Sequence, residues 1–302
     1  MKNKHPKVSL ENLCGLFGFS RQAYYEAITR RNTEFISNSI VLCLVNEIRE
    51  DMPFIGTRKL LHLLEPKLEE HIIKIGRDQL FNLLRFHGLL IRRRKKIART
   101  TNSNHPYKRY PDLIKNLEVT RSNQVWVSDI TYIRTVSGFS YLSLLTDLYS
   151  RKIVGYCLYP SLEAVGCLNA LKMAIALNPL QTGQNLIHHS DRGVQYCSFE
   201  YTKLLLEHDI QISMTQNGNP YDNALAERVN GILKNEFYPK RVYLNHQDAV
   251  NNICKIVKIY NLQRPHSSID YLTPQEAHLK SGEIKKRWKN YKKSYSEVVK
   301  DY

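Results

Sequence analysis

The sequence predicts an α/β protein, a mixed β-sheet flanked by helices, preceded by an all-helical N-terminal region. Three observations carry that expectation. Over roughly the first hundred of the 302 residues, apolar side chains recur at helical spacing, and over the next hundred and sixty short apolar runs alternate with helical patterns. The run Val125-Trp126-Val127-Ser128-Asp129-Ile130-Thr131-Tyr132-Ile133 is largely apolar on both of its alternating faces, as a central strand must be. Three early strand segments lie close enough for hairpins, and the later ones alternate with helices, which yields a mixed sheet with helical layers.

In order along the chain, Ser9 caps a helix bearing Leu10, Leu13, Cys14 and Phe17; Gly18 ends it, and Ser20 caps a second helix over Arg21-Gln22-Ala23-Tyr24-Tyr25-Glu26-Ala27-Ile28. This pattern predicts a helix-turn-helix, with Arg21 and Gln22 in the first turn of the second helix, where side chains reach base edges. A second helical pair is expected near 57–64 and 77–87, closed by Gly88 and followed by the basic run Arg92-Arg93-Arg94-Lys95-Lys96. Strands are expected near 125–134, 139–147, 152–159, 186–190 and 211–215, and helices near 161–177, 198–208, 222–237 and 247–261. The resulting division is 1–50 for the helix-turn-helix-like region, 51–99 for the second helical region with its basic end, 100–117 for a linker, 118–280 for the α/β core and 281–302 for a tail interleaving cations with aromatics.

Composition narrows the partners. There are 44 Lys and Arg against 28 Asp and Glu, a formal net charge of +16, so the favoured partner is a polyanion, above all nucleic acid. No apolar run approaches the roughly 18 to 20 residues of a membrane span, and Met1-Lys2-Asn3-Lys4-His5-Pro6-Lys7 lacks a signal-peptide core, which predicts a soluble intracellular chain with no membrane partner. Six cysteines stand singly in apolar contexts, a pattern of reduced, buried thiols rather than disulfides or a zinc site.

Within that basic chain three carboxylates sit where charge is awkward. Asp129 interrupts the central strand, Asp191 ends Leu186-Ile187-His188-His189-Ser190, and Glu227 lies on a helix. A carboxylate in or beside a core strand loses hydration worth several kcal/mol in order of magnitude unless a partner compensates, so a cation is expected there. On a helical wheel, Asn223, Asn230 and Lys234 fall within roughly 60° of Glu227, with Leu225, Val229 and Ile232 opposite. Ala224 and Gly231 flank this polar stripe and leave room beside the carboxylate. His188 and His189 suit hydrogen bonding better than a hard cation, Asp147 suits a turn or an ion pair with Arg151, and Glu236 falls about 180° from Glu227 on a regular helix. The residues alone leave three readings open: a metal-dependent recombinase, a structure-specific nuclease and a nonenzymatic DNA-binding repressor.

Thirty-five residues separate Asp191 from Glu227, and Lys234 follows two helical turns later. The order and spacing resemble the Asp-Asp-Glu signature of retroviral-integrase-like recombinases. The words His189-Ser190-Asp191-Arg192-Gly193, Asn219-Pro220-Tyr221-Asp222-Asn223-Ala224, Ala226-Glu227-Arg228-Val229-Asn230-Gly231 and Tyr260-Asn261-Leu262-Gln263-Arg264-Pro265-His266 resemble the second-frame transposases of the insertion-sequence-three family. That resemblance implies a ribonuclease-H-like core in which Asp129, Asp191 and Glu227 are catalytic and bind two Mg²⁺ ions, with Mn²⁺ as a substitute. It implies nicking at element ends and joining of the 3′ hydroxyl to another strand. DNA contacts are expected from Lys234, Asn230, Arg264, Arg21, Gln22 and the run Arg92, Arg93, Arg94, Lys95 and Lys96. The implied partners are the terminal inverted repeats, target DNA, a first-frame transposase protein or fusion and further copies of the chain, in a bacterial cytoplasm at the nucleoid.

Overall fold

The computed structural model describes residues 7–91, 106–179, 185–216, 223–237, 242–285 and 287. The run Arg92–Lys96 and nearly all of the cation-aromatic tail lie outside these. The chain divides into two compact units, one of residues up to 50 with 60–90, the other of 51–59 with the residues from 91 onward.

In the helical unit, Ser9 accepts from the Asn12 amide to start α1 (Leu10–Gly15), and Gly18 takes the left-handed conformation (φ +72°) that turns the chain. Ser20 then accepts from the Ala23 amide at the start of α2 (Arg21–Asp51). This second helix continues far beyond Ile28, because no Gly or Pro interrupts it and Val41 and Val45 in its latter half are fully buried. Helices α3 (Thr57–Glu70) and α4 (Arg77–Phe86) follow, and Gly88 (φ +67°) closes the second, as expected. Leu60, Leu64, Leu80 and Leu84 are fully buried, and Lys67 pairs with Glu47 at 2.6 Å. Arg21 and Gln22 are exposed in the first turn of α2, Arg21 beside the Tyr25 ring and Gln22 donating to Glu26.

The core unit is built on β1 (Val125–Thr135), β2 (Gly138–Asp147), β3 (Ile153–Tyr159), β4 (Ile187–Ser190) and β5 (Gln211–Met214). Their order is β3-β2-β1-β4-β5, with β1, β2 and β3 antiparallel and β4 and β5 parallel to β1. Helices α5 (Ala164–Leu177), α6 (Val194–Cys197), α7 (Phe199–Glu207), α8 (Ala224–Ile232), α9 (His246–Leu262) and α10 (Pro274–His278) complete it. The period of two in β1 assigns each face. Trp126 joins Leu145, Val154, Ala170, Leu171, Tyr201 and Met214 in the larger core under α5 and α7. Val125 and Val127, on the opposite face, pack with Ile187 and Ala226 of α8, so Asp129, in phase with them, faces α8. Gly155 is required where β3 meets α5: a Cβ there would stand 2.2 Å from the Ala170 carbonyl oxygen.

Two charged side chains singled out in the sequence meet inside the fold. Arg264, grouped with the DNA contacts, is 2% exposed; its Nε and Nη2 donate to Glu236 Oε2 and Oε1 at 2.8 and 2.9 Å, so it is not presented to a phosphate. Lys59 Nζ donates to the same carboxylate at 2.8 Å. Before Glu236, α8 continues as a π-turn (Leu233–Phe237), whose wider i→i+5 winding slips the helical register by about one residue. Burial alone would raise the Glu236 carboxyl, but Arg264 and Lys59 outweigh it and hold it below the usual carboxylate range. Burial and the Arg264 charge depress the Lys59 ammonium to about 8 even beside Glu236, so Arg264 is the principal partner. Of the thiols, Cys43 and Cys254 are exposed rather than buried.

Removing one member of a buried ion cluster leaves the others uncompensated. Glu236→Ala is therefore expected to lose about 3–5 kcal/mol in urea unfolding. A loss below about 1 kcal/mol, the value of an exposed pair, would show that the cluster is solvated.

Candidate functional site

The two parallel central strands create the site. Val127 pairs with His189, and two residues further along each strand stand Asp129 and Asp191, at the same end of adjacent strands. Continuous pairing through apolar cores on both faces of β1 holds Asp129 in place. Asp191 leaves β4 and is fixed by its own turn, its Oδ1 accepting from the Gly193 amide at 2.9 Å.

Helix α8 is laced to β1 by two asparagines. Asn223 Nδ2 donates to the Ser128 carbonyl at 2.9 Å, and Asn230 Nδ2 donates to Asp129 Oδ2 at 2.7 Å. Asn230 was expected at DNA. Instead it is 5% exposed and its amide is spent on the carboxylate, so its place is inside the site. The Asn223 and Asn230 Oδ1 atoms are buried and accept no hydrogen bond. Between these two residues, Glu227 is exposed in the first turn of α8, and half-buried Lys234 lies in the π-turn.

Charge in this corner is unbalanced. Burial, then repulsion from Asp191, pushes the Asp129 carboxyl up to about 7; the Asn230 hydrogen bond and the Ile130 amide oppose the rise, and Glu227 adds to it. The structure thus brings Asp129 and Asp191 together and keeps Glu227 within electrostatic reach on an exposed helix face. Among the described residues no three His, Cys, Asp or Glu side chains converge tightly enough to enclose one ion. The donor set still suits a hard divalent cation: two carboxylates in mutual repulsion, a third nearby and two buried amide oxygens that accept no hydrogen bond.

The neighbouring groups are structural. Burial, reinforced by His189, lowers the His188 imidazole to about 3, and its Nε2 lies 2.9 Å from the Tyr201 hydroxyl. His189 Nδ1 is 2.8 Å from Ser213 Oγ. Asp147, fully buried, accepts from the Asn123 and Ser150 amides and the Ser150 hydroxyl, each at 2.7 Å, so it shapes the turn after β2.

A five-stranded mixed sheet with one acid inside its central strand and a second just past the parallel strand beside it defines an integrase-type core. The Integrase core domain family matches residues 119–220, and a second family of the same description matches 208–274. The insertion element IS600 uncharacterized 31 kDa protein of Shigella sonnei is 35% identical across 87% of this chain and 96% of its own length. The putative transposase for IS986/IS6110 of Mycobacterium tuberculosis is 32% identical across 68% and 75%. Transposase InsF for insertion sequence IS3A of Escherichia coli is 31% identical across 64% and 67%. The HTLV-2 integrase catalytic core domain overlays 52% of this chain and 97% of its own at 21% identity, with a TM-score of 0.41. The chain belongs to the insertion-sequence-three family of transposases, Asp-Asp-Glu polynucleotidyl transferases that act on DNA. No described helix is long and apolar enough to cross a membrane.

Asp129 also sets a stability signature. Its folded value near 7 lies above the ordinary value of about 3.9, so in the metal-free protein Asp129 favours folding below about pH 4, a contribution lost as pH rises through 7. Asp129→Asn is expected to melt higher than the parent at about pH 8 without metal, with the difference closing toward pH 5. Thermal denaturation by circular dichroism measures it; equal melting at both pH values would show that no repulsion is stored there.

Proposed function

We propose that Asp129, Asp191 and Glu227 are the catalytic carboxylates and hold two Mg²⁺ ions, replaceable by Mn²⁺, at which the chain cuts the terminal repeats of its element and joins the freed 3′ hydroxyl to target DNA. The observation that carries this reading is the desolvated Asp129 carboxyl, which faces a second carboxylate and lies among oxygen donors with unmet acceptor capacity. Divalent cations bound there supply activation of the attacking oxygen and stabilisation of the leaving oxygen in an in-line displacement at phosphorus.

The chain's own residues do the positioning. Asn230 orients Asp129 through one carboxylate oxygen. Asn223 ties the start of α8 to the strand that bears Asp129, which keeps Glu227 beside it. The Gly193 amide restrains Asp191. Lys234, on the same helical run as Glu227, binds a DNA phosphate close to the carboxylates, a role suited to a flexible point charge. Arg21 and Gln22, on an exposed helix start, read the element end together with the basic run 92–96. Assembly on DNA proceeds through further copies of the chain, with a first-frame product as partner.

Asp129→Asn, Asp191→Asn and Glu227→Gln are each expected to cut Mg²⁺-dependent cleavage and strand joining on labelled element ends by about a hundredfold or more, with DNA affinity retained. Glu118→Gln, at an exposed carboxylate outside the trio, keeps parent activity. Robust joining by Glu227→Gln would remove that residue from the catalytic set. Affinity for duplex DNA is also expected to fall steeply with salt, given the net charge of +16, with a log–log slope steeper than about −3; a slope near zero would show that phosphate contacts do not drive binding.

A further inference from the structure

One wall of the core unit carries a groove that the catalytic carboxylates do not use. It has a volume of about 600 Å³ and runs between the segment leading to β1 and helix α7. Tyr107, Tyr110 and Phe199 line it with Leu206, and Lys108 and Lys203 stand among them. Phe199 is 71% exposed and Leu206 60%, an uncommon amount of apolar surface for the outer face of a nine-residue helix. Lys108 Nζ stacks 5.1 Å from the Tyr110 ring centroid, which holds a cation at the mouth.

The groove adjoins the site through a short covalent and hydrogen-bonded path. Cys197 lines it, the Cys197 amide donates to the Gly193 carbonyl at 3.2 Å, and the Gly193 amide donates to Asp191 at 2.9 Å. Burial and then Asp191 push the Cys197 thiol up to about 11, with Arg109 and Arg192 opposing, so two further cations stand near this wall. Glu207 is the one carboxylate among the described lining residues, and it sits 3.7 Å from Lys203.

Flat rings open to solvent, cations at the rim and a path of two hydrogen bonds to Asp191 suit one kind of occupant. We propose that this groove holds an unpaired nucleobase of the DNA strand that passes over Asp191, stacked on Phe199 and the tyrosines, with Lys108 and Lys203 on the flanking phosphates. Aromatic platforms with cations bind single strands without base preference, because every base offers a π-face. Phosphates also match the charge of this wall, where Lys108, Lys203, Arg109 and Arg192 outnumber the one lining carboxylate, Glu207. The inference rests on the reading that the reacting strand lies at Asp191.

The test uses the full-length protein in metal-free buffer, so that no strand is cut. The probes are a short single-stranded oligonucleotide containing aminopurine and a blunt duplex of equal length. The parent is expected to change the aminopurine fluorescence on binding, as stacking requires. Phe199→Ala, at an exposed position that leaves the fold intact, is expected to abolish that change and weaken single-strand binding about 5- to 150-fold, equivalent to ~1–3 kcal/mol for one stacked base. Blunt-duplex affinity should hold within about twofold, and Lys203→Met should make the single-strand salt slope shallower by about one. Absence of the fluorescence change in the parent, equal losses on both probes, or a shift in oligomeric state of Phe199→Ala by sedimentation would overturn the proposal, the last by giving the groove to a second copy of the chain. Because binding is read without metal, failure here leaves the carboxylate assignment standing, and failure of the carboxylate variants leaves the stacking result standing.

Discussion

Everything in the core unit bears on one unfavourable placement, the Asp129 carboxylate in the middle of a strand whose neighbours on both faces are apolar. Left to itself, such a group takes up a proton, and burial together with Asp191 drives it in that direction. The fold holds the charge there by surrounding it with rigid elements. Strand β1 is paired along its length with β2 and at its start with β4, Trp126 locks one face, and α8 is hydrogen-bonded to the other. A site that stores repulsion in this way loses stability in the metal-free state and is poised to accept cations.

The mixed topology is what makes the acid pair. An antiparallel neighbour on both sides of β1 would carry the chain away from Asp129 at the wrong end. The parallel β4 instead delivers Asp191 to the same end, after a crossover through α5. Helix α8 then returns across the β1 face that carries Asp129. The ion cluster of Arg264, Glu236 and Lys59 secures the far end of that helical run, tying the π-turn to the segment after α9 and to residues 51–59. Its charges are internal to the fold, although in sequence Arg264 and Lys59 look like two more members of a DNA-binding surplus.

The limits of sequence reasoning follow from this. Asp129 is conspicuous because alternation exposes a charge in an otherwise apolar strand. The burial of Arg264 and Asn230 is not legible locally, because in a chain of net charge +16 an arginine or a polar stripe reads first as surface. Nothing local reveals that Glu236 waits for Arg264 twenty-eight residues on. The wheel gives Glu236 only an approximate direction: it presumes constant winding, and the π-turn begins at Leu233, three residues before it. The length of α2 was missed because capping rules mark starts well, whereas its end depended on the burial of Val41 and Val45.

By itself the sequence determined the fold class, the order of the five strands and the helices between them, the caps at Ser9 and Ser20, the turns at Gly18 and Gly88, and the candidate trio, because each depends on contacts within a few residues or on a spacing of one kind. Only the tertiary structure decided which carboxylates meet, which asparagines hold them, which cations are consumed inside the fold and which aromatics line the groove along α7. Those outcomes depend on pairing between segments far apart in the chain, where the favourable partner is chosen by strand register and helix packing and leaves no periodic trace in the sequence.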